Sequence, residues 1–198
     1  EHEVERGPAR TYAYDEGQRE MLRQALKEAT ALTDRHARPG NLGKIELALT
    51  DWHAAAAQQF QRETGITASD VDVVGFHGQT VIHRPEKRLT VQLGDGQLLA
   101  RRLGLTVAYD LRAADVEAGG QGAPLVPAFH DAVFRKPGAN RGVVNIGGIS
   151  NLTVIADGQG VFGFDCGPGN ILLDMWVARH KSERFDDKGA WAASGRAL

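Results

Sequence analysis

Cysteine is nearly missing from this chain: Cys166 is the one thiol in 198 residues. A lone thiol excludes an internal disulfide and a zinc cluster built on cysteines, and it fits a reducing compartment. No metal-ligand spacing links the seven histidines, so no metal site is expected. An excess of either charge is missing as well. The formal net charge is -2, which gives no general attraction to nucleic acid or to an anionic membrane and makes a small molecule the expected partner. No apolar run approaches the roughly 20 residues that span a bilayer, and the opening "EHEVERGPAR" lacks the apolar core of a signal peptide. The expected location is the cytoplasm. A homodimer is compatible with these features.

What is present is an ordinary globular composition, 42% hydrophobic and 24% charged, in a length that suits one generous domain or two small ones. Glycine is the skewed residue, 24 of them against a usual share of about 7%. They gather after residue 75, in "GFHGQT", "LGDG", "EAGGQGAP", "NIGGISN" and "GFDCGPGN". Glycines at corners between apolar segments let backbone approach backbone, or backbone approach a ligand.

Residues 16–37 carry a helical stripe through Met21, Leu22, Ala25, Leu26, Ala29 and Leu32, and "RPGN" at 38–41 breaks it. A second stripe runs through Ile45, Leu49, Trp52, Ala56 and Phe60 to Gly65. From residue 70 the texture changes. "VDVVGF" (71–76), "LTVQL" (89–93) and "LTVAYD" (105–110) read as strands, and "DGQLLARRLG" (95–104) as a helix closed by Gly104. "PLVPAFHDAVF" (124–134) reads as a helix with Pro124 in its first turn. "RGVVNIGGISNLTVIAD" (141–157) predicts a hairpin about "GGIS", "GVFGFD" (160–165) a further strand, and "NILLDMWVARH" (170–180) a helix. Alternating strands and helices with one inserted hairpin predict an α/β chain with a partly parallel sheet.

Two glycine corners could carry chemistry. In "GFDCGPGN", Asp165 is placed at the end of a strand and before a helix, the edge at which open α/β sheets bind ligands. The N–H groups of Gly167, Gly169 and Asn170 are expected to face outward at the positive end of that helix, where an anion would suit them. A lone carboxylate there can act as a general base toward water or a hydroxyl. A plain capped corner explains the same residues, and both readings stand. In "NIGGISN" the bare N–H groups of Gly147 and Gly148 could cradle phosphate oxygens, with ordinary hairpin chemistry as the alternative. His77 and Gln79 could bond a sugar-like ligand. Asp110 and Arg112 could pair with each other or with a carboxylate, the structural ion pair being the first expectation, and His130 on its apolar helix is expected to be a satisfied core histidine.

Taken in order, "GFHGQT", "GGQGAPLVPAFH", "NIGGISN" and "GFDCGPGN…D" resemble the anhydro-N-acetylmuramic acid kinases, sugar kinases of the actin-like ATPase (ribonuclease H-like) superfamily, over residues 70–195. The resemblance implies a two-lobed α/β enzyme that closes over ATP, with Mg²⁺, and a cell-wall sugar. Such an enzyme opens the 1,6-anhydro ring with water and phosphorylates O6, giving N-acetylmuramic acid 6-phosphate in peptidoglycan recycling. It implies Asp165 as the catalytic base and a phosphate-facing hairpin at Gly147 and Gly148, with Gly167, Gly169 and Asn170 beside them. It places Arg112, Gln121, Gly122 and Pro124, with His77 and Gln79, in the sugar pocket. Residues 1–140 would then form most of the first lobe and residues 141–198 the start of the second. The family's first-strand Gly-Thr-Ser-x-Asp-Gly loop does not occur here. The sequence therefore reads as incomplete at both ends, and the 198 residues alone are expected to be inactive. Two other functions stay open: a glycoside-processing hydrolase pairing Asp165 with Asp174, and a sugar- or nucleotide-binding sensor on the same fold.

Overall fold

Asp15 fixes where the first helix begins. Its carboxylate accepts the Gln18 N–H while the Gln18 side chain accepts the Asp15 N–H, a reciprocal cap that satisfies two otherwise unpaired donors. In the computed structural model, which describes residues 4–196, α1 (Glu16–Glu28) follows this cap. One 3₁₀ turn, Ala29–Ala31, ends the helical stripe well before residue 37. Leu26, expected in the stripe, is 44% exposed, whereas Leu22, Ala25, Ala29 and Leu32 are buried. The Glu28 carboxylate accepts both the backbone N–H and the Nδ2 of Asn41, and α2 (Leu42–Thr64) starts there. As expected, Gly65 closes α2 in the left-handed conformation, φ 75°.

The strand expected over 71–76 is reduced to β1 (Val74–Phe76), with Val73 54% exposed ahead of it. Two elements absent from the sequence-based expectation lie in this half. β2 (Gln79–Arg84) pairs antiparallel with β3 (Leu89–Leu93). Val81, Ile82, Leu89, Val91 and Leu93 close a core with Leu22, Ile45 and Leu49 of the two helices. Asp95 caps α3 (Gly96–Leu103) by accepting the Leu98 N–H, and Gly104 ends it, as expected. β4 (Val107–Tyr109) pairs parallel with β1, and these two strands are the parallel pairing of a mixed α/β chain. The second unforeseen element is α4 (Leu111–Glu117).

The chain divides into two compact units, residues 5–122 and the segment from Ala123 onward. The second unit opens with α5 (Pro127–Phe134). Pro127, not Pro124, takes the first helical position, where a missing N–H is harmless; Pro124 precedes the helix. β5 (Arg141–Ile146), β6 (Ile149–Ile155) and β7 (Val161–Pro168) form an antiparallel meander. It is followed by α6 (Asn170–Lys181) and the short α7 (Ala190–Ala193). α5, which the sequence groups with residues 1–140, packs on β6 and β7 of this second unit. Its His130 is buried, with Nδ1 2.8 Å from Thr153 Oγ1, a satisfied core histidine as expected. No helix among the described residues is long and apolar enough to cross a membrane.

Candidate active site

The structure sets Asp165 inside a strand rather than at its end, because β7 runs on to Pro168. Asn151 of β6 pairs with Asp165 and Ser150 pairs with Gly167, so Cys166 is an extra residue on β7. This is a β-bulge, a device that twists a strand and re-aims the side chains beside it. Asp165 and Cys166 are both exposed.

Beyond the bulge the chain is pinned to the β5–β6 turn. The N–H groups of Gly169 and Asn170 donate to the carbonyls of Gly148 and Gly147, both at 2.8 Å, and Ile171 N–H donates to Gly148 O at 3.3 Å. The outward-facing amides expected at Gly169 and Asn170 are therefore engaged within the fold. Gly169 has a packing reason to be glycine: a Cβ there would strike Gly147 O and lie 2.7 Å from Ser150 Oγ. Gly147 and Gly148 have none. A Cβ at Gly147 would find its nearest neighbour at 3.6 Å, and one at Gly148 at 4.0 Å. The turn thus presents two side-chain-free residues beside the Asp165 bulge, braced from behind by the start of α6.

Five of the six expected sugar contacts, all but Pro124, belong to residues 5–122. His77 Nδ1–H donates to Gly78 O at 2.5 Å, and the ring lines a cavity of about 340 Å³ with Arg35, His36, Gln92 and Tyr109. Asp110 and Arg112 do not pair with each other. Asp110 pairs with Arg35, whereas Arg112 Nη1 donates to Gly122 O at 2.7 Å. Gly122 N–H in turn donates to Asp115 Oδ2 at 2.6 Å, so the "GGQG" loop is braced from both sides by α4, with Gln121 exposed. Gln79 Nε2 donates to Thr80 O at 3.2 Å. Pro124, in the second unit, lies against Gly163.

Sequence reasoning finds no pattern in His53 and passes over Glu46 and Asn151. Glu46 holds Arg38 through two bonds of 2.9 and 3.0 Å and also accepts the Gly94 N–H at 3.1 Å. No periodic spacing signals that pairing. His53 Nδ1–H donates to Leu49 O at 2.8 Å, its ring lies 5.0 Å from Phe76 and 6.1 Å from His77, and Tyr14 Oη is 3.4 Å from Nε2. An i, i+4 bond to a helix carbonyl was its one local signal. Burial pushes the His53 pKa down, the Leu49 carbonyl opposes that, and the nearby His77 adds to it. Because the folded value is depressed, the unfolded chain takes up the proton first as pH falls. The stability His53 contributes is then complete above the ordinary histidine pKa of about 6.5 and is lost below it. The urea midpoint of the full-length protein is expected to fall between about pH 7 and about pH 5.5, and His53→Gln is expected to flatten that slope. An identical slope in the variant would remove His53 as the cause.

Asp174 lies on α6 beside a second cavity, of about 710 Å³, lined also by Asn170, Trp176, Phe185 and Trp191. Among the described residues no group of three His, Cys, Asp or Glu side chains could hold a metal ion. His2 falls outside the described residues.

The mixed α/β architecture is consistent with the fold of a sugar kinase family. The particular family follows from comparison: the profile described as anhydro-N-acetylmuramic acid kinase matches residues 5–198, and the chain belongs to that family. A protein of Methylobacterium nodulans named anhydro-N-acetylmuramic acid kinase is 50% identical over 192 residues, covering 96% of this chain and 51% of its own length. Proteins of the same name from Agrobacterium fabrum and Rhizobium etli are 48% and 50% identical over 199 residues. They cover 97% and 98% of this chain, and 52% and 54% of their own lengths. The chain thus spans about half the length of the curated relatives it matches.

Proposed function

We propose that the protein to which this chain belongs is an ATP-dependent kinase of 1,6-anhydro-N-acetylmuramic acid, acting in the cytoplasm on a recycled peptidoglycan sugar. The observation that carries this reading is the Asp165 carboxylate, without a side-chain partner among the described residues, on a bulge beside the open Gly147–Gly148 turn. Asp165 takes a proton from water, the water oxygen bonds to C1 of the sugar, and the C1–O6 bond breaks. O6 attacks the γ-phosphorus of ATP as the bond to ADP breaks, giving the 6-phosphate. The turn amides of Gly147 and Gly148 face the phosphates, where no side chain blocks a close approach. Gly167, Gly169 and Asn170 hold that turn and the bulge in place. His77, Gln79, Arg112, Gln121, Gly122 and Pro124 supply the sugar pocket, with Arg112 acting through the loop it braces.

The fold in this reading is the two-lobed actin-like ATPase fold, residues 1–140 belonging to one lobe and residues 141–198 opening the other. The three-stranded meander followed directly by α6 supports it. Magnesium would arrive on the ATP phosphates, since Mg²⁺ is commonly held by one or two carboxylates plus phosphate oxygens rather than by a protein cage. Pairing of two copies is compatible with the reading. No observation favours the hydrolase, because Asp174 lines a cavity whose lining does not include Asp165.

The test is formation of a sugar 6-phosphate by the full-length protein, dependent on both ATP and the anhydrosugar. ATP consumption without such a product would refute the reading. For the turn, Gly148→Ala is expected to fold normally, because the added methyl meets only Ile171 Cβ at 4.0 Å. It should weaken binding of a non-hydrolysable ATP analogue about tenfold, which is about 1.4 kcal/mol. Unchanged affinity by calorimetry would leave the turn a structural role alone.

A further inference from the structure

Asn151 stands directly opposite Asp165 in the β6–β7 ladder. Residues directly opposite in an antiparallel pair carry their side chains on one face of the sheet, with Cβ atoms about 4.5–5.5 Å apart. The same row continues to Asn145 on β5, so one face bears Asn145, Asn151 and Asp165 in a line. Two residues along, this face is closed: Thr153 is fully buried and bonded to His130, and Gly163 lies against Pro127. The row of amides and carboxylate is therefore the end of the face left uncovered by α5.

Asn151 is half-buried, and its Oδ1 is buried without a hydrogen-bond partner among the described residues. An unmade bond to a buried acceptor costs free energy, and each such group in a native fold calls for a donor from somewhere. The other two cases among the described residues differ from it. Asp131 Oδ1 lies 2.5 Å from Arg135 Nη2, an ion pair that supplies its partner. Gln92 is held at its amide nitrogen by Thr90 Oγ1 at 2.8 Å. Asn151 alone has neither, and it alone stands opposite, in the ladder, the residue read as the base.

We propose that Asn151 is a positioning residue for the water that Asp165 deprotonates, an inference that rests on the role given to Asp165 above. Water attacking a carbon has two hydrogens to place. Asp165 takes one as a proton, and the Asn151 amide oxygen accepts the other in a hydrogen bond, which leaves a lone pair directed at C1. As the oxygen bonds to C1 and the C1–O6 bond breaks, the second hydrogen stays on the new hydroxyl and remains bonded to Asn151. Rotation about χ2, a soft torsion in asparagine, turns the amide oxygen from its buried position toward the carboxylate. An amide suits this place better than an acid. A second carboxylate opposite Asp165 would raise the pKa of the base by like-charge repulsion.

The experiment uses the full-length protein with three substitutions. Asn151→Leu keeps the size and removes the acceptor; it should lower kcat by about 10²-fold, the effect of a misplaced reactant, with the sugar KM unchanged. Asn151→Asp keeps an acceptor oxygen; it should recover part of that loss and move the acid limb of the pH–kcat/KM profile upward. The moved limb reports that residue 151 faces the base; a merely structural asparagine would leave kcat of the folded Asn151→Leu protein at the parental value. Unchanged kcat in a folded Asn151→Leu protein, or an unmoved acid limb in Asn151→Asp, overturns the proposal. Asn151→Asp decides the matter if the leucine variant does not fold. Asp165→Asn run in parallel separates the two failures: turnover at the parental rate there removes the base itself, whereas silent Asn151 variants beside an inactive Asp165→Asn remove only the positioning role.

Discussion

Asp165→Asn in the full-length protein is expected to lower kcat by roughly 10²–10⁴-fold, the usual contribution of a positioned general base. The structure makes this an unusually clean substitution. The carboxylate is exposed and has no side-chain partner among the described residues, so the amide breaks no ion pair. Asparagine has nearly the same shape, and the backbone bonds that hold the bulge and the 147–148 turn belong to other residues. Folding and binding of the sugar and of ATP should therefore survive while proton abstraction is lost. Turnover measured by ADP release, alongside sugar affinity by calorimetry, checks both halves. A variant that works at the parental rate would end the assignment of Asp165. One that loses sugar binding would make it a ligand contact instead of the base.

How far the sequence foretold this arrangement depends on how local each signal is. α3 was legible at both ends because Asp95 and Gly104 carry their own capping chemistry within one turn of the helix. β3 was legible as an apolar run of five buried residues. Its partner β2 was not, since "QTVIHR" mixes two buried residues with polar ones and becomes a strand by pairing with β3. α4 was hidden for a different reason. It is seven residues long, and Asp110 ahead of it sits in the left-handed region with no capping bond, so neither period nor cap announces it.

The site divides along the same line. That glycines flank Asp165 was plain from the residues, and so was the turn at 147–148. That the carbonyls of this turn would consume the amides of Gly169 and Asn170 was not, because those bonds join two β-strands' ends and depend on register. Asn151 is the sharpest case: in the sequence it is one more polar residue after a glycine turn, and only the bulge at Cys166 brings it opposite Asp165. Arg112 shows the reverse. Its closeness to Asp110 in sequence invited an ion pair, yet the helix starting at Leu111 carries it to Gly122 while Asp110 meets Arg35.

Gly78→Ala is expected to lose about 2–5 kcal/mol of stability in the unit formed by residues 5–122, and to disturb His77 with it. Two costs combine. Gly78 has φ 62°, a conformation that costs an L-residue roughly 1–2 kcal/mol. Its Cβ would also collide with Leu93 O and come within 3.5 Å of Gln92 Cβ, and overpacking of this kind adds about 1–3 kcal/mol. The obstacle cannot easily move away. Leu93 is fully buried, and it pairs with Gln79 next to the mutated residue. The His77 ring bonds the Gly78 carbonyl, so any shift that relieves the collision also carries the ring away from its place on the cavity wall. Gly43→Ala is the control. That residue lies in the first turn of α2, its Cβ would meet Arg38 Cβ at an ordinary 3.7 Å, and no left-handed φ is involved; it should be neutral or slightly stabilising, as replacing a helical glycine generally is. Hydrogen exchange of the β2 and β3 amides in the full-length protein reads both variants locally. Faster exchange in Gly78→Ala with parental rates in Gly43→Ala is the expected pair. Parental exchange in both would mean that the corner before β2 yields more readily than its contacts with Leu93 imply.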